Sequence, residues 1–103
     1  MRQHLQITFH GMERSEALEQ TVRRKCEQLE RLASDIVACR VVIDLAHKHQ
    51  RQGRPFGVRI DLTLPGRELT ANRVDHEDVY VGVREAFDDM RRQLDGVVTQ
   101  RRP

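Results

Sequence analysis

Phe56-Gly57-Val58-Arg59-Ile60-Asp61-Leu62-Thr63-Leu64 alternates without a break. Phe56, Val58, Ile60, Leu62 and Leu64 fall on one side, and Gly57, Arg59, Asp61 and Thr63 on the other. Period two is the signature of a strand with one face buried. Pro65-Gly66 follows as a turn dipeptide, so the chain doubles back. Glu68-Leu69-Thr70-Ala71-Asn72 is the partner strand, with Leu69 and Ala71 facing in. Upstream, Val41, Ile43 and Leu45 alternate with Val42 and Asp44 as another strand. The polar loop His47 to Pro55 joins it to the hairpin. At the start, Leu5-Gln6-Ile7-Thr8-Phe9-His10 alternates too, and Gly11 ends it.

Two segments change period. From Ser15 to Ala33, the residues Leu18, Val22, Cys26, Leu29 and Ala33 recur at three- and four-residue spacing. That is the buried stripe of an amphipathic helix. Ser15 caps it, and Glu16 and Glu19 sit in the first turn, where the helix dipole favours anions. Arg23, Arg24, Gln28 and Arg31 lie on its wet side. Val79, Val83, Phe87, Met90, Leu94 and Val97 mark a second helix. Asp75 is its expected cap, with Asp78 three residues on as in a capping box. Residues 98–103 read as a frayed tail.

The order is β-α-β-β-β-α, an α+β chain. The first strand, helix and second strand form a right-handed parallel crossover, and the later strands pair antiparallel. Every strand has one apolar face and each helix one apolar stripe. The simplest packing is a two-layer sandwich: a four-stranded mixed sheet with both helices on one face. The open face then carries Gln6, Thr8, Arg40, Asp44, Arg59, Asp61, Thr63 and Thr70.

The 103 residues suffice for one domain, residues 1–103, without repeats or linkers. The longest apolar run is only four residues, Ile36-Val37-Ala38-Cys39, so no membrane helix is expected. No signal-peptide core follows Met1, and a reducing cytoplasmic setting is expected. Basic residues exceed acidic ones by only 18 to 16, so an RNA surface would require segregation of charge.

Enzymatic chemistry finds little support. There is no phosphate-cradling glycine loop and no nucleophile elbow. Asp88-Asp89 are adjacent on a helix and do not face one site together. His47 and His49, with His76, have a conceivable metal spacing, but no third ligand is fixed, and an exposed polar loop accounts for them. No metal, cofactor or small-molecule substrate is expected. Cys26 and Cys39 both have inward parity and read as buried structural thiols. Arginines cluster at Arg23-Arg24-Lys25, Arg51 with Arg54, Arg91-Arg92 and Arg101-Arg102. Their planar forks suit phosphate, although on composition alone chance accounts for such pairs. No strand presents aromatic rings to solvent, so a base-stacking sheet is not expected.

The last helix and its approach are more specific. His76-Glu77-Asp78-Val79-Tyr80, then Val83, then Arg92-Gln93-Leu94 resemble the signature of the ribosome hibernation-promoting factor family, also described as ribosome-associated inhibitors or sigma-54 modulation proteins. Ser15-Glu16-Ala17-Leu18, Val22, Lys25 and Leu29-Glu30 fall in that family's order and spacing. The resemblance implies a double-stranded-RNA-binding-like fold. It implies binding to rRNA of the small ribosomal subunit in the decoding channel, with mRNA and tRNA sites blocked under stress and no covalent chemistry. Candidate RNA contacts are Arg23, Arg24, Lys25, Arg51, Arg54, Arg91, Arg92, Arg101 and Arg102. Lys25 and Arg92 match positions where the family tends to be basic. Asp78 and Tyr80 are expected to serve the fold, as a helix start and a packed ring.

The chain departs from the family at Asp89, where close relatives usually have lysine, and in the scarcity of lysine after Leu94. Asp89 precedes Arg92 by three residues and is expected beside it on the helix. The resemblance is to the short form, without the C-terminal dimerisation domain, and a monomer is expected when free. The competing reading is a diverged interaction or regulatory domain that keeps the fold without the ribosome site. A basic stripe joining Arg23, Lys25, Arg51, Arg54 and Arg92 would favour the ribosome-binding reading. Charge broken by Asp88 and Asp89 would favour the other.

Overall fold

The computed structural model describes residues 4–45 and 55–101, apart from the side chains of Asp75 and His76. The order is β1 (His4–His10), α1 (Glu16–Leu32), β2 (Ala38–Leu45), β3 (Phe56–Leu64), β4 (Arg67–His76) and α2 (Val79–Arg101). The strands form one sheet in the order β1-β2-β3-β4. β1 and β2 are parallel, joined through α1, and the other two pairings are antiparallel. The β3–β4 turn has Pro65 first and Gly66 second, with Gly66 at φ +80°. A type II turn needs that positive φ at its second central residue.

Register brings the inward residues of the four strands into rows. One row is Ile7, Val41, Ile60 and Ala71; the next is Leu5, Cys39, Leu62 and Leu69. Val41, Ile43, Val58, Ile60 and Leu62 are buried to 1% exposure or less. On edge strand β1, Leu5, Ile7 and Phe9 are half-buried against the same core. Leu18, Val22, Cys26 and Leu29 of α1 and Val83, Phe87, Met90 and Leu94 of α2 complete it. Both helices therefore cover one sheet face, as the strand and helix patterns require. Cys26 Sγ of α1 lies 3.4 Å from Cys39 Sγ of β2. Both thiols are free and buried. The hydrogen bond to Cys39, and then burial, push the Cys26 thiol well above its ordinary range and hold it protonated.

The two helix starts differ from one another. Ser15 caps α1 as expected, its hydroxyl accepting from the Leu18 N–H. For α2 the cap is Asp78 rather than Asp75. Asp78 Oδ1 accepts the Tyr80 N–H at 2.9 Å. Residues before Asp78 are drawn into β4, which runs to His76. Pairing with β3 lengthens that strand and moves the helix start downstream. At the other end, α2 continues to Arg101 instead of fraying from residue 98. Val97 is buried and Val98 packs against the core, which ties down the last turns.

The open face is polar but internally neutralised. Asp61 lies opposite Arg40 on β2 and Thr70 on β4. It accepts hydrogen bonds from Thr70 Oγ1 at 2.8 Å and Arg59 Nε at 3.2 Å, and Arg40 Nη2 stands 3.8 Å away. Arg40 also approaches Glu68 at 3.8 Å. Burial alone pushes the Asp61 carboxyl up. The hydrogen bonds from Arg59 and Thr70 and the charges of Arg59 and Arg40 outweigh it and hold the carboxyl below the ordinary range. A carboxyl depressed in the folded state stabilises the fold above its unfolded value, about pH 3.9, and loses that contribution as pH falls through its folded value. Melting temperature is accordingly expected to fall on acidification below about pH 4, and Asp61→Asn to flatten that decline. An unchanged slope in thermal melts of the variant between about pH 2 and 5 would assign the acid sensitivity to other carboxyls.

Candidate nucleic-acid interface

On the far side of the molecule the two helices lie side by side. They run in the same direction. α1 returns from β1 to the parallel strand β2, and α2 returns from β4, which two antiparallel pairings make parallel to β2. Between them runs a groove of about 360 Å³. Leu29, Leu32 and Phe87 form its floor, and Lys25, Gln28, Arg31, Asp88 and Arg91 its walls. The basic residues in and beside the groove follow helical periodicity. Arg24, Gln28 and Arg31 stand at i, i+4 and i+7 on α1, and Arg84, Asp88 and Arg91 repeat that spacing on α2. Residues so spaced share one stripe.

What separates this surface from the open sheet face is pairing. Arg40 and Arg59 are held by Asp61, and Arg73, Arg14 and Arg101 each face one carboxylate. Among the described residues, no ion pair engages Arg24, Lys25, Arg31, Arg84, Arg91 or Arg92. An unpaired guanidinium meets a phosphate without first giving up a protein carboxylate. The charge is therefore segregated in availability, although the chain as a whole is nearly balanced.

The structure divides the candidate residues. Lys25 and Arg91 enter the groove, and Arg24 lies on the stripe beside it. Arg23, adjacent in sequence, turns to the opposite flank of α1, beside Leu5, Cys26, Glu27 and Glu30. Arg92 is exposed but does not line the groove, because one residue rotates a helix by about 100°. Arg101 lies 3.1 Å from Asp35. Arg51, Arg54 and Arg102 lie outside the described residues, as do His47 and His49. Among the described residues, no cluster of three His, Cys, Asp or Glu side chains could hold a metal. Of the stripe anticipated through Arg23, Lys25, Arg51, Arg54 and Arg92, the described members Arg23, Lys25 and Arg92 thus do not share one groove. Arg31 and Arg84 are the basic residues that pairwise clustering missed, and their i, i+7 partners carried the signal.

Two further expectations change. Asp89 does not pair with Arg92. It faces β4 and meets Arg73 Nη2 at 3.5 Å. Arg73 occupies the inward end of the row Phe9, Ile43 and Val58, so its charge needs a partner at the core margin. Gln93, in the Arg-Gln-Leu step, donates to the Thr70 carbonyl at 2.8 Å and satisfies a main-chain acceptor of edge strand β4. Tyr80 is not packed away: it is 46% exposed.

With this geometry in view, the comparisons with known proteins are specific. A family model described as sigma 54 modulation protein / S30EA ribosomal protein matches residues 5–102. Among solved structures, a ribosomal subunit interface protein from Coxiella burnetii superposes with a TM-score of 0.76 at 20% identity, covering 91% of this chain and 96% of that one. The N-terminal domain of Thermus thermophilus Protein Y superposes with a TM-score of 0.76 at 23% identity, covering 94% and 99%. No curated protein matches the chain in sequence. No helix among the described residues is long and apolar enough to cross a membrane. A family match over nearly the whole length, on a fold shared end to end with both structures, means that the chain belongs to the sigma 54 modulation protein / S30EA ribosomal protein family.

Proposed function

We propose that this protein binds rRNA of the small ribosomal subunit in the decoding channel. It sets its helical layer against the phosphate backbone and occludes the mRNA and tRNA sites under stress. It works by occupancy, without covalent chemistry or a cofactor, as a cytoplasmic monomer. The observation that carries this reading is the contrast between the two faces. Sheet-face arginines are consumed by Asp61 and Glu68, whereas those along the interhelical groove form no ion pair among the described residues. Family membership and the likeness to a ribosomal subunit interface protein support the choice of partner.

The test is co-sedimentation of the purified protein with small ribosomal subunits across a salt series. Phosphate contacts release counterions, so affinity is expected to fall with salt at a logarithmic slope of about −2 or steeper for three or more contacts. Affinity that stays flat between low and physiological salt would remove the arginine–phosphate interface. Absence of co-sedimentation even at low salt would favour the diverged interaction domain.

A further inference from the structure

We propose that Tyr80 is a stacking platform for one unpaired nucleobase, placed at the head of the basic stripe of α2. The proposal rests on the helical-layer reading above and adds the form of RNA that the layer accepts.

Tyr80 is the second residue of α2 and, at 46% exposure, one of few large hydrophobic side chains left in solvent. Its backbone is fixed from both sides. Asp78 Oδ1 accepts its N–H, and the Gly82 N–H donates to the Asp78 carbonyl at 3.1 Å. Among the described residues, the Tyr80 hydroxyl makes no hydrogen bond, and the ring is not among the side chains packed against the core. A rigidly mounted, half-exposed ring without a polar task suits a flat apolar ligand.

Its position identifies the ligand. Tyr80, Arg84, Asp88 and Arg91 stand at i, i+4, i+8 and i+11, on one stripe of α2. By helical rise, Tyr80 precedes Arg84 by about 6 Å and Arg91 by about 16 Å. Arg84 is exposed and forms no ion pair among the described residues. Asp78 already occupies the helix N-terminus, so a phosphate beside the ring falls to Arg84. Cations that track a backbone, in line with a ring that takes a base, are the pattern of single-stranded recognition. A duplex keeps its bases stacked on one another and offers the ring nothing.

The chain holds one tyrosine and no tryptophan, so its tyrosine emission reports Tyr80 alone. The experiment titrates the full chain with an adenosine-only single-stranded RNA and, separately, with an RNA duplex at equal phosphate concentration. Filter binding of Tyr80→Ala and Tyr80→Phe to the single strand runs in parallel. Expected are saturable quenching by the single strand only, about tenfold or greater loss of affinity in Tyr80→Ala, and near-normal affinity in Tyr80→Phe. Equal quenching by the duplex, or no quenching by either RNA, overturns the proposal, and the wild-type titration decides this even if Tyr80→Ala fails to fold. So does loss of affinity in Tyr80→Phe, which would assign the effect to the hydroxyl. If stacking fails while wild-type protein still co-sediments with small subunits, only this inference falls. If co-sedimentation fails as well, the ribosomal reading falls with it.

Discussion

Combined replacement of Lys25, Arg31 and Arg91 by alanine is expected to weaken binding to small ribosomal subunits by roughly a hundredfold or more. Each removed cation deletes a charge-assisted hydrogen bond to phosphate. Each also lowers the salt slope by about 0.7 to 0.9, so the triple variant should lose about two to three units of slope. The melting temperature should hardly move, since none of the three forms an ion pair among the described residues. Two controls sharpen the result. Arg92→Ala, outside the groove, and Arg40→Ala, on the sheet face, should each change affinity by no more than about threefold. Asp88→Asn should act in the opposite direction, because Asp88 is the carboxylate lining the groove and repels phosphate. Affinity measured at two salt concentrations for all four variants checks the assignment. If Arg40→Ala costs as much as the triple variant, the sheet face is the interface and the groove is not.

Gly11→Ala should give the largest loss of stability, roughly 3 kcal/mol. Gly11 ends β1 at φ +76°, a conformation in which an L side chain is strained. A methyl group there would also overlap the carbonyl oxygen of Leu45 on β2. Neither atom can yield easily, because the oxygen is backbone and the methyl carbon is bonded directly to backbone, at the end of the parallel β1–β2 pair. The expected fall in melting temperature is roughly 15 °C for a domain of this size. Gly66→Ala separates the two causes. Gly66 has a similar φ of +80°, but a methyl group there meets nothing within 4 Å. Its cost should be the conformational part alone, about 1 kcal/mol or about 5 °C. Equal losses at the two glycines in thermal melts would mean that the contact with Leu45 contributes nothing.

Much of this molecule was legible along the chain. Alternation in Leu5–His10, Val41–Leu45, Phe56–Leu64 and Glu68–Asn72, with the stripes Leu18 to Ala33 and Val79 to Val97, was enough to locate the four strands, both helices and the face they share, although β2 begins earlier, at Ala38, and β4 runs on to His76. Such patterns are local: a side chain's direction within one element follows from the period of that element. The Ser15 cap was legible for the same reason, since its partner is three residues away. The resemblance to the family also lay in runs of adjacent residues, Asp78-Val79-Tyr80 and Arg92-Gln93-Leu94.

The site was less legible, because neighbours in sequence are not neighbours on a helix surface. Arg23-Arg24 and Arg91-Arg92 look like basic clusters, yet about 100° of rotation per residue sends the members of each pair to different surroundings. Which arginines meet depended on two helices about sixty residues apart lying alongside one another, with Arg31 and Arg91 lining one groove. Pairing was equally non-local. Asp89 turned away from Arg92 because Arg73, an inward charge on β4, needed it. Asp61 drew in Arg40 and Arg59 because sheet register set them around it. The sequence by itself determined the elements and the side of each that is buried. Only the tertiary structure decided which charges are spent on one another and which stay available to phosphate, because an ion pair forms across the distance between elements, and no period within one element encodes that distance.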